Sequence, residues 1–466
     1  MSRELLDKII KAYDIRGLVD EEITPDFTFA LGIAFAKFVE REREPATVVI
    51  GEDMRPSSPE LATAFSDGIT SQGLDVIRIG LASTDQLYFA SGNLNFPGAM
   101  FTASHNPAQY NGIKLCKSGA RPIGQESGLL WIKDQIHHGM TEGFPIPHRG
   151  IGKESTRDLL PSYVDFLFSL FPPGSFEKLF LDRPIRIAID AGNGMGGHTA
   201  PAVMSRINAV VDGIYFELDG TFPNHEANPI EAKNLVDLQK LVRDKEADIG
   251  LAFDGDADRC FLVDESGELV SPSSLTALIA ERELKKNPHS SIIYNLICSR
   301  AVPEVVHENG GVALRSRVGH SYIKKMMAEN SAIFGGEHSG HFYFKDFWNA
   351  DSGMLAALHA IAALLEEQKS LSTLLSRFNR YSLSGEINTK VDDTRAAIAL
   401  IKSEFANSSD EVEFDDLDGL TVTSPEWSFN VRPSNTEPLL RLNVEAHSLE
   451  EQVRVRDLVL RILTSR

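Results

Sequence analysis

Two short segments carry the residues best suited to chemistry. Thr102-Ala103-Ser104-His105-Asn106-Pro107 offers a nucleophilic hydroxyl on Ser104, and Asp254-Gly255-Asp256-Ala257-Asp258-Arg259 offers three carboxylates and a cation. A carboxylate at every second residue, directly after the apolar run Ile249 to Phe253, would put three oxygen ligands on one side of an extended segment. That donor set suits a hard cation such as Mg2+. A serine beside a Mg2+ site points to phosphoryl transfer, in which the metal neutralises charge building on the migrating group. A calcium-binding helix-loop-helix also alternates acids, but it needs glycine at its sixth position, and counting from Asp254 that position is Arg259.

Two more loops have the composition of a ligand cradle. In Gly335-Gly336-Glu337-His338-Ser339-Gly340-His341, Glu337 can accept from and Ser339 donate to neighbouring sugar hydroxyls, while the glycines let the backbone come close. In Arg432-Pro433-Ser434-Asn435-Thr436-Glu437-Pro438, Arg432 supplies a bidentate fork for phosphate. Ser434, Asn435 and Thr436, with exposed backbone N–H groups, complete that site.

These loops must be positioned by a scaffold, and a chain of 466 residues implies three or four domains. Strand-like and helix-like runs alternate at Thr47 to Gly51, Pro59 to Ser71, Leu74 to Gly80 and Gly98 to Ala103, the rhythm of a three-layer α/β domain with Ser104 at a strand end. A Pro/Gly-rich linker at Gly143 to Gly152 closes it. A second such unit runs from Ile185 to the acidic loop, and a third from Ser291 through the Gly335 loop to a helix near Ser352 to Glu366. Beyond Tyr381 the order of strands and helices changes to a smaller α+β domain. The expected boundaries are residues 1–152, 153–264, 265–380 and 381–466.

Lysine and arginine total 46 against 66 acids, a net charge of −20 that disfavours nucleic acid and anionic membrane as partners. No apolar run is long enough to span a bilayer, and the first residues lack a signal-peptide core, so a cytoplasmic protein is expected. Cys116, Cys260 and Cys298 have no paired metal-ligand spacing and imply neither disulfides nor zinc.

Taken in order, these loops resemble those of the α-D-phosphohexomutases, most of all the phosphomannomutase/phosphoglucomutase branch. The likeness extends to Tyr13-Asp14-Ile15-Arg16-Gly17, Gly51 to Ser58, Phe222-Pro223-Asn224-His225 and Val318-Gly319-His320, so it covers essentially the whole chain. It implies three similar three-layer α/β domains plus a smaller C-terminal α+β domain around a central cleft. It implies that Ser104 is carried as phosphoserine and exchanges its phosphoryl group with a hexose 1- or 6-phosphate through a bound hexose 1,6-bisphosphate. Mg2+ would then be held by phosphorylated Ser104 with Asp254, Asp256 and Asp258, and Arg259 would lie beside the phosphoserine.

By the same resemblance Lys114, in Asn111-Gly112-Ile113-Lys114, is the general acid/base, with Arg16 and His320 near the same oxygen, and Tyr13, Gly319 and His341 join Glu337 and Ser339 around the sugar. A lysine of ordinary pKa near 10.4 is a poor base at neutral pH, so neighbouring cations or desolvation would have to lower it. Otherwise Lys114 is an electrostatic clamp and His320 the better base. Mannose and glucose differ only at C2, so gripping hydroxyls away from C2 should accept both, with mannose preferred. His338 and Asn435 depart from the glucosamine pattern of the family, and Ile297 stands where many bacterial relatives carry a sugar-contacting lysine. The rival readings are phosphoglucomutase or phosphoglucosamine mutase action, a metal-dependent sugar phosphatase that loses the Ser104 phosphate to water, and a non-catalytic sugar-phosphate sensor.

Overall fold

The computed structural model describes residues 2–144, 150–408, 410–433 and 439–464. Ser434, Asn435 and Thr436 therefore lie outside the described residues, as does the side chain of His320. The chain forms two compact units, Met1–Ser271 with Ser339–Leu374, and Pro272–His338 with Leu375–Arg466.

In the first unit, one sheet runs in the order Ile15–Leu18, Tyr110–Lys117, Gly98–Phe101, Thr47–Glu52, Asp75–Leu81, Glu154–Thr156. Its middle strands are parallel and buried on both faces, which is why Val48, Val49 and Ile50 run as an unbroken apolar stretch. Helix Pro25–Arg41 starts where Thr24 Oγ1 accepts from the Phe27 N–H and Pro25 takes the first turn. Its Phe27, Phe35 and Phe38 pack with Phe65 of helix Ser58–Ser71 and with Phe101. Each such ring removes enough apolar surface from water to stabilise by about 2 kcal/mol. Strand Gly98–Phe101 ends at the Ser104 loop, and the chain returns antiparallel as Tyr110–Lys117, with Lys114 opposite Met100. This return strand extends beyond the loop-like Asn111-Gly112 pair, and it places Lys114 in a sheet.

A second sheet of the same unit has the order Leu269–Val270, Cys260–Asp264, Ile249–Phe253, Ile185–Asp190, Ala209–Ile214. Ile249–Phe253 lies parallel to Ile185–Asp190 and antiparallel to Cys260–Asp264, so residues 254–259 connect a hairpin. The alternating carboxylates do not sit on an extended segment as their spacing suggests. The chain turns there, with the Ala257 N–H donating to the Asp254 carbonyl at 3.0 Å and Ala257 in the left-handed region at φ +59°.

In the second unit, Ser291–Asn295, Val312–Ser316 and Phe334–Gly336 are parallel neighbours. A separate antiparallel sheet has the order Ser382–Lys390, Leu439–Ala446, Trp427–Pro433, Leu420–Thr423, Glu413–Asp415. Alternation along Trp427–Pro433 sends Trp427, Phe429 and Val431 into the core and leaves Ser428, Asn430 and Arg432 on the opposite face. No helix among the described residues is long and apolar enough to cross a membrane.

Candidate active site

In the first unit the serine loop and the acidic loop meet. Ser104 Oγ donates to Asp254 Oδ2 at 2.7 Å, and both residues are buried. Ser104 occupies the left-handed region at φ +48°, an uncommon conformation for a residue with a Cβ. Its N–H donates to Thr102 Oγ1 at 2.9 Å. A Cβ on Gly255 would collide with the Ser104 carbonyl oxygen, so only glycine lets the two backbones come this close.

The turn at residues 254–258 brings one oxygen each of Asp254, Asp256 and Asp258 to within 4.8 Å of one another. Asp256 Oδ1 and Asp258 Oδ1 are buried and accept no hydrogen bond. Three converging carboxylates with unsatisfied buried oxygens fit a divalent cation, since a lone buried carboxylate oxygen costs free energy unless something positive reaches it. The other oxygens are engaged. Lys114 Nζ bridges Asp256 Oδ2 and Asp258 Oδ2 at 2.6 Å each, and Thr84 Oγ1 also donates to Asp256 Oδ2 at 2.6 Å. Arg259 Nε pairs with Asp254 Oδ2 at 2.8 Å.

These charges set the protonation states. Burial, aided by the charges of Asp258 and Asp256, pushes Asp254 up to about 7 even though the Arg259 guanidinium opposes it. Burial would also raise Asp256, but the Lys114 ammonium outweighs it and holds that carboxyl well below the usual range. For Lys114, burial alone would lower the pKa, yet Asp256 and Asp258 raise it well above its ordinary value. A general base needs the reverse, and the paired carboxylates favour the alternative of Lys114 as an electrostatic clamp.

His105 is a functional-site residue that reading the sequence passed over. Arg259 Nη2 donates to its Nδ1, which also lies 3.2 Å from Ser104 Oγ. Burial and the Arg259 charge hold its pKa well below the ordinary value, so the ring is neutral with Nδ1 as acceptor. Arg16 reaches the serine loop by donating to Asn106 Oδ1 at 2.6 Å and pairs with Asp14 at 2.7 Å. His341 stands against the acidic loop rather than apart from it, with Nε2 3.6 Å from Asp258 Oδ1 and Nδ1 2.9 Å from Ser339 Oγ. Tyr13 is half-buried two residues before strand Ile15–Leu18.

In the second unit Glu337 is buried and its Oε1 accepts from the Gly319 N–H at 3.1 Å and from Asn295 Nδ2 at 3.4 Å. Arg432 pairs through Nη2 with Glu386 Oε2 at 3.0 Å, at the end of its strand. Ile297 and His338 line one cavity of about 220 Å³ together with Cys298, Asn430 and Asn443.

Four domain models match the chain in order. They are described as phosphoglucomutase/phosphomannomutase alpha/beta/alpha domain I over residues 7–142, domain II over 162–267, domain III over 271–381 and the C-terminal domain over 386–462. A phosphomannomutase of Escherichia coli is 36% identical over 445 residues, covering 94% of this chain and 95% of its own. A phosphomannomutase of Escherichia coli strain K12 is 38% identical over 446 residues, covering 94% of each. A crystal structure of a phosphoglucomutase/phosphomannomutase family protein from Burkholderia thailandensis superposes with a TM-score of 0.86 at 29% identity, covering 100% of this chain and 98% of that one.

Proposed function

The chain belongs to the α-D-phosphohexomutase family and is a phosphohexomutase, an intramolecular phosphotransferase of sugar phosphates, and we propose that it works through a phosphoserine at Ser104, with mannose preferred and glucose also accepted. The observation that carries this reading is Ser104 Oγ, 2.7 Å from Asp254 inside a cluster of three buried carboxylates and two fixed cations.

In the forward half-reaction a sugar hydroxyl attacks phosphorus, the bond from phosphorus to Ser104 Oγ breaks, and a hexose 1,6-bisphosphate forms. After the intermediate turns, Ser104 Oγ attacks the other phosphoryl group and the bond to that sugar oxygen breaks. Arg259 places a guanidinium next to the migrating group, where a preorganised cation is worth more than in water. Lys114 keeps Asp256 ionised. A divalent ion held by Asp254, Asp256, Asp258 and the phosphoserine, Mg2+ by the all-oxygen donor set, supplies further charge neutralisation when bound. In this reading Lys114 or His320 carries the proton at the reacting sugar oxygen, with Arg16 near it. Glu337, Ser339, Gly319, Tyr13 and His341 belong to sugar recognition in this reading, and Arg432 with Ser434, Asn435 and Thr436 to the phosphate that is not reacting.

The mannose preference is supported by the names of the phosphomannomutases that the chain matches. A cytoplasmic location remains part of the proposal. The domain boundaries expected from the sequence remain part of the proposal. Intact mass should show one phosphate adduct on the native protein and none on Ser104→Ala, which loses nearly all mutase activity. Release of free phosphate in place of the isomeric sugar phosphate would favour a phosphatase instead, and an active Ser104→Ala would end the relay.

A further inference from the structure

Arg55 takes no part in the chemistry described so far, yet its guanidinium is fully engaged. Its side chain is fully buried. Nε donates to Asp53 Oδ2 at 3.2 Å, Nη1 to the carbonyls of Pro107 and Tyr110 at 2.9 Å each, and Nη2 to those of Ser104 at 2.9 Å and Asn106 at 2.7 Å. Every N–H of the guanidinium has a partner; three of the five bonds go to main-chain oxygens of the irregular loop at Ser104, Asn106 and Pro107, and a fourth to Tyr110, the first residue of the strand that follows. The guanidinium also lies over the Phe222 ring, 5.1 Å from its centroid. Asp53 is held in turn by Ser58 Oγ at 2.6 Å and by the Arg55 N–H at 3.0 Å.

The loop needs such a partner. A segment outside any sheet must satisfy its buried carbonyls elsewhere, and charge-assisted bonds are the strong way to do so. Ser104 also sits in the left-handed region, which a residue with a Cβ holds only when its surroundings over-determine it. A planar fork gripping the carbonyls of Ser104 and Asn106 with one nitrogen, and those of Pro107 and Tyr110 with another, fixes the peptide planes that follow that strained residue, while the Thr102 hydroxyl accepts from the Ser104 N–H before it. The Ser104 carbonyl is thereby turned toward Arg55, and its Oγ toward Asp254.

We infer that Arg55 is the positioning residue of the nucleophile, acting from behind the loop without touching substrate, hydroxyl or carboxylate triad. The inference rests on Ser104 being the phosphoryl carrier. Lysine keeps the charge but offers three donors on a flexible stem in place of five in a plane, so it cannot hold four carbonyls.

The test is Arg55→Lys, assayed at saturating hexose 1-phosphate and normalised to folded protein by near-ultraviolet circular dichroism. A nucleophile displaced by about 1 Å should lower kcat about 100-fold. KM should stay within about threefold, because binding groups are elsewhere. Phosphorylation of the enzyme by a hexose 1,6-bisphosphate, followed by intact mass in a single turnover, should slow in parallel. A purely structural role would reduce the amount of folded enzyme and leave kcat per folded molecule unchanged, so a kcat within about threefold of native overturns the inference. If the variant does not fold, hydrogen exchange on the native protein decides: the Asn106 and Tyr110 amides should exchange as slowly as strand Gly98–Phe101, and fast exchange overturns it. Ser104→Ala, run alongside, separates the two readings. An active Ser104→Ala removes the carrier itself, whereas an inactive one beside a normal Arg55→Lys removes only the role of Arg55.

Discussion

Replacing Lys114 by methionine removes the ammonium between Asp256 and Asp258 while keeping most of the volume. Three buried carboxylates then face Arg259 alone, where before they faced two cations. Removing one partner of a buried ion pair costs about 3 to 5 kcal/mol, because the charge left behind stays buried. Lys114 retains slight exposure, 14% of its side chain, so the lower end applies, about 3 kcal/mol. A divalent cation should supply the missing charge. Native enzyme also gains from Mg2+, so the gap closes only by the tighter binding to the variant, about 1.4 kcal/mol for each tenfold in Kd. Urea unfolding of native enzyme and Lys114→Met, each in chelator and in excess Mg2+, is the measurement. The gap should be about 3 kcal/mol in chelator and shrink by that amount with Mg2+. Calorimetry should also show tighter Mg2+ binding to the variant, since a competing cation is gone. A gap unaffected by Mg2+, or no gap in chelator, would refute the account of Lys114 as a clamp over a metal site.

Asp85 is fully buried and accepts from Tyr163 Oη at 2.7 Å, from Ser352 Oγ at 2.6 Å and from Ser83 Oγ, and burial raises its pKa from 3.8 to about 6. A carboxyl with a raised folded pKa stabilises the fold below pH 4 and loses that contribution as pH climbs through 6, here about 3 kcal/mol. Asp85→Asn should therefore flatten the fall in stability between pH 4 and 7, and an unchanged slope would contradict it. Gly255→Ala should cost about 1 to 3 kcal/mol by forcing the acidic loop off the Ser104 carbonyl, measured as a lower unfolding midpoint together with lower activity. Ile297→Lys should change the ratio of kcat/KM for mannose 1-phosphate to that for glucose 1-phosphate about tenfold, the worth of one charged hydrogen bond. An unaltered ratio would remove this wall of the cavity from specificity.

The serine loop and the acidic loop were legible because each follows a strand whose apolar run announces where it stops, at Phe101 and Phe253. Strand Ile185–Asp190 was equally plain. What lay beyond reach was pairing over distance. Thr84 binds Asp256 and Arg55 binds Ser104 only because the sheets stack those strand ends together, and neither residue differs locally from an ordinary cap or surface arginine. The proximity of Lys114 to two carboxylates, which decides its charge, needed the antiparallel return strand that Asn111-Gly112 does not advertise. The spacing of the three aspartates identified the ligands but misjudged the path between them, since a hydrophilic Gly-Asp-Ala stretch turns as readily as it extends.

The backbone of Ser104 has a consequence for which amino acid can stand there. Threonine carries the same hydroxyl with nearly the same acidity, and many phosphorylated sites take either residue. At φ +48° a second substituent on Cβ crowds the main chain, and β-branched residues are the least tolerant of that region. The choice of serine over threonine is thus made by torsion angle before any reactivity is compared, and the loop would have to relax out of its left-handed turn before a threonine could take over the phosphoryl group.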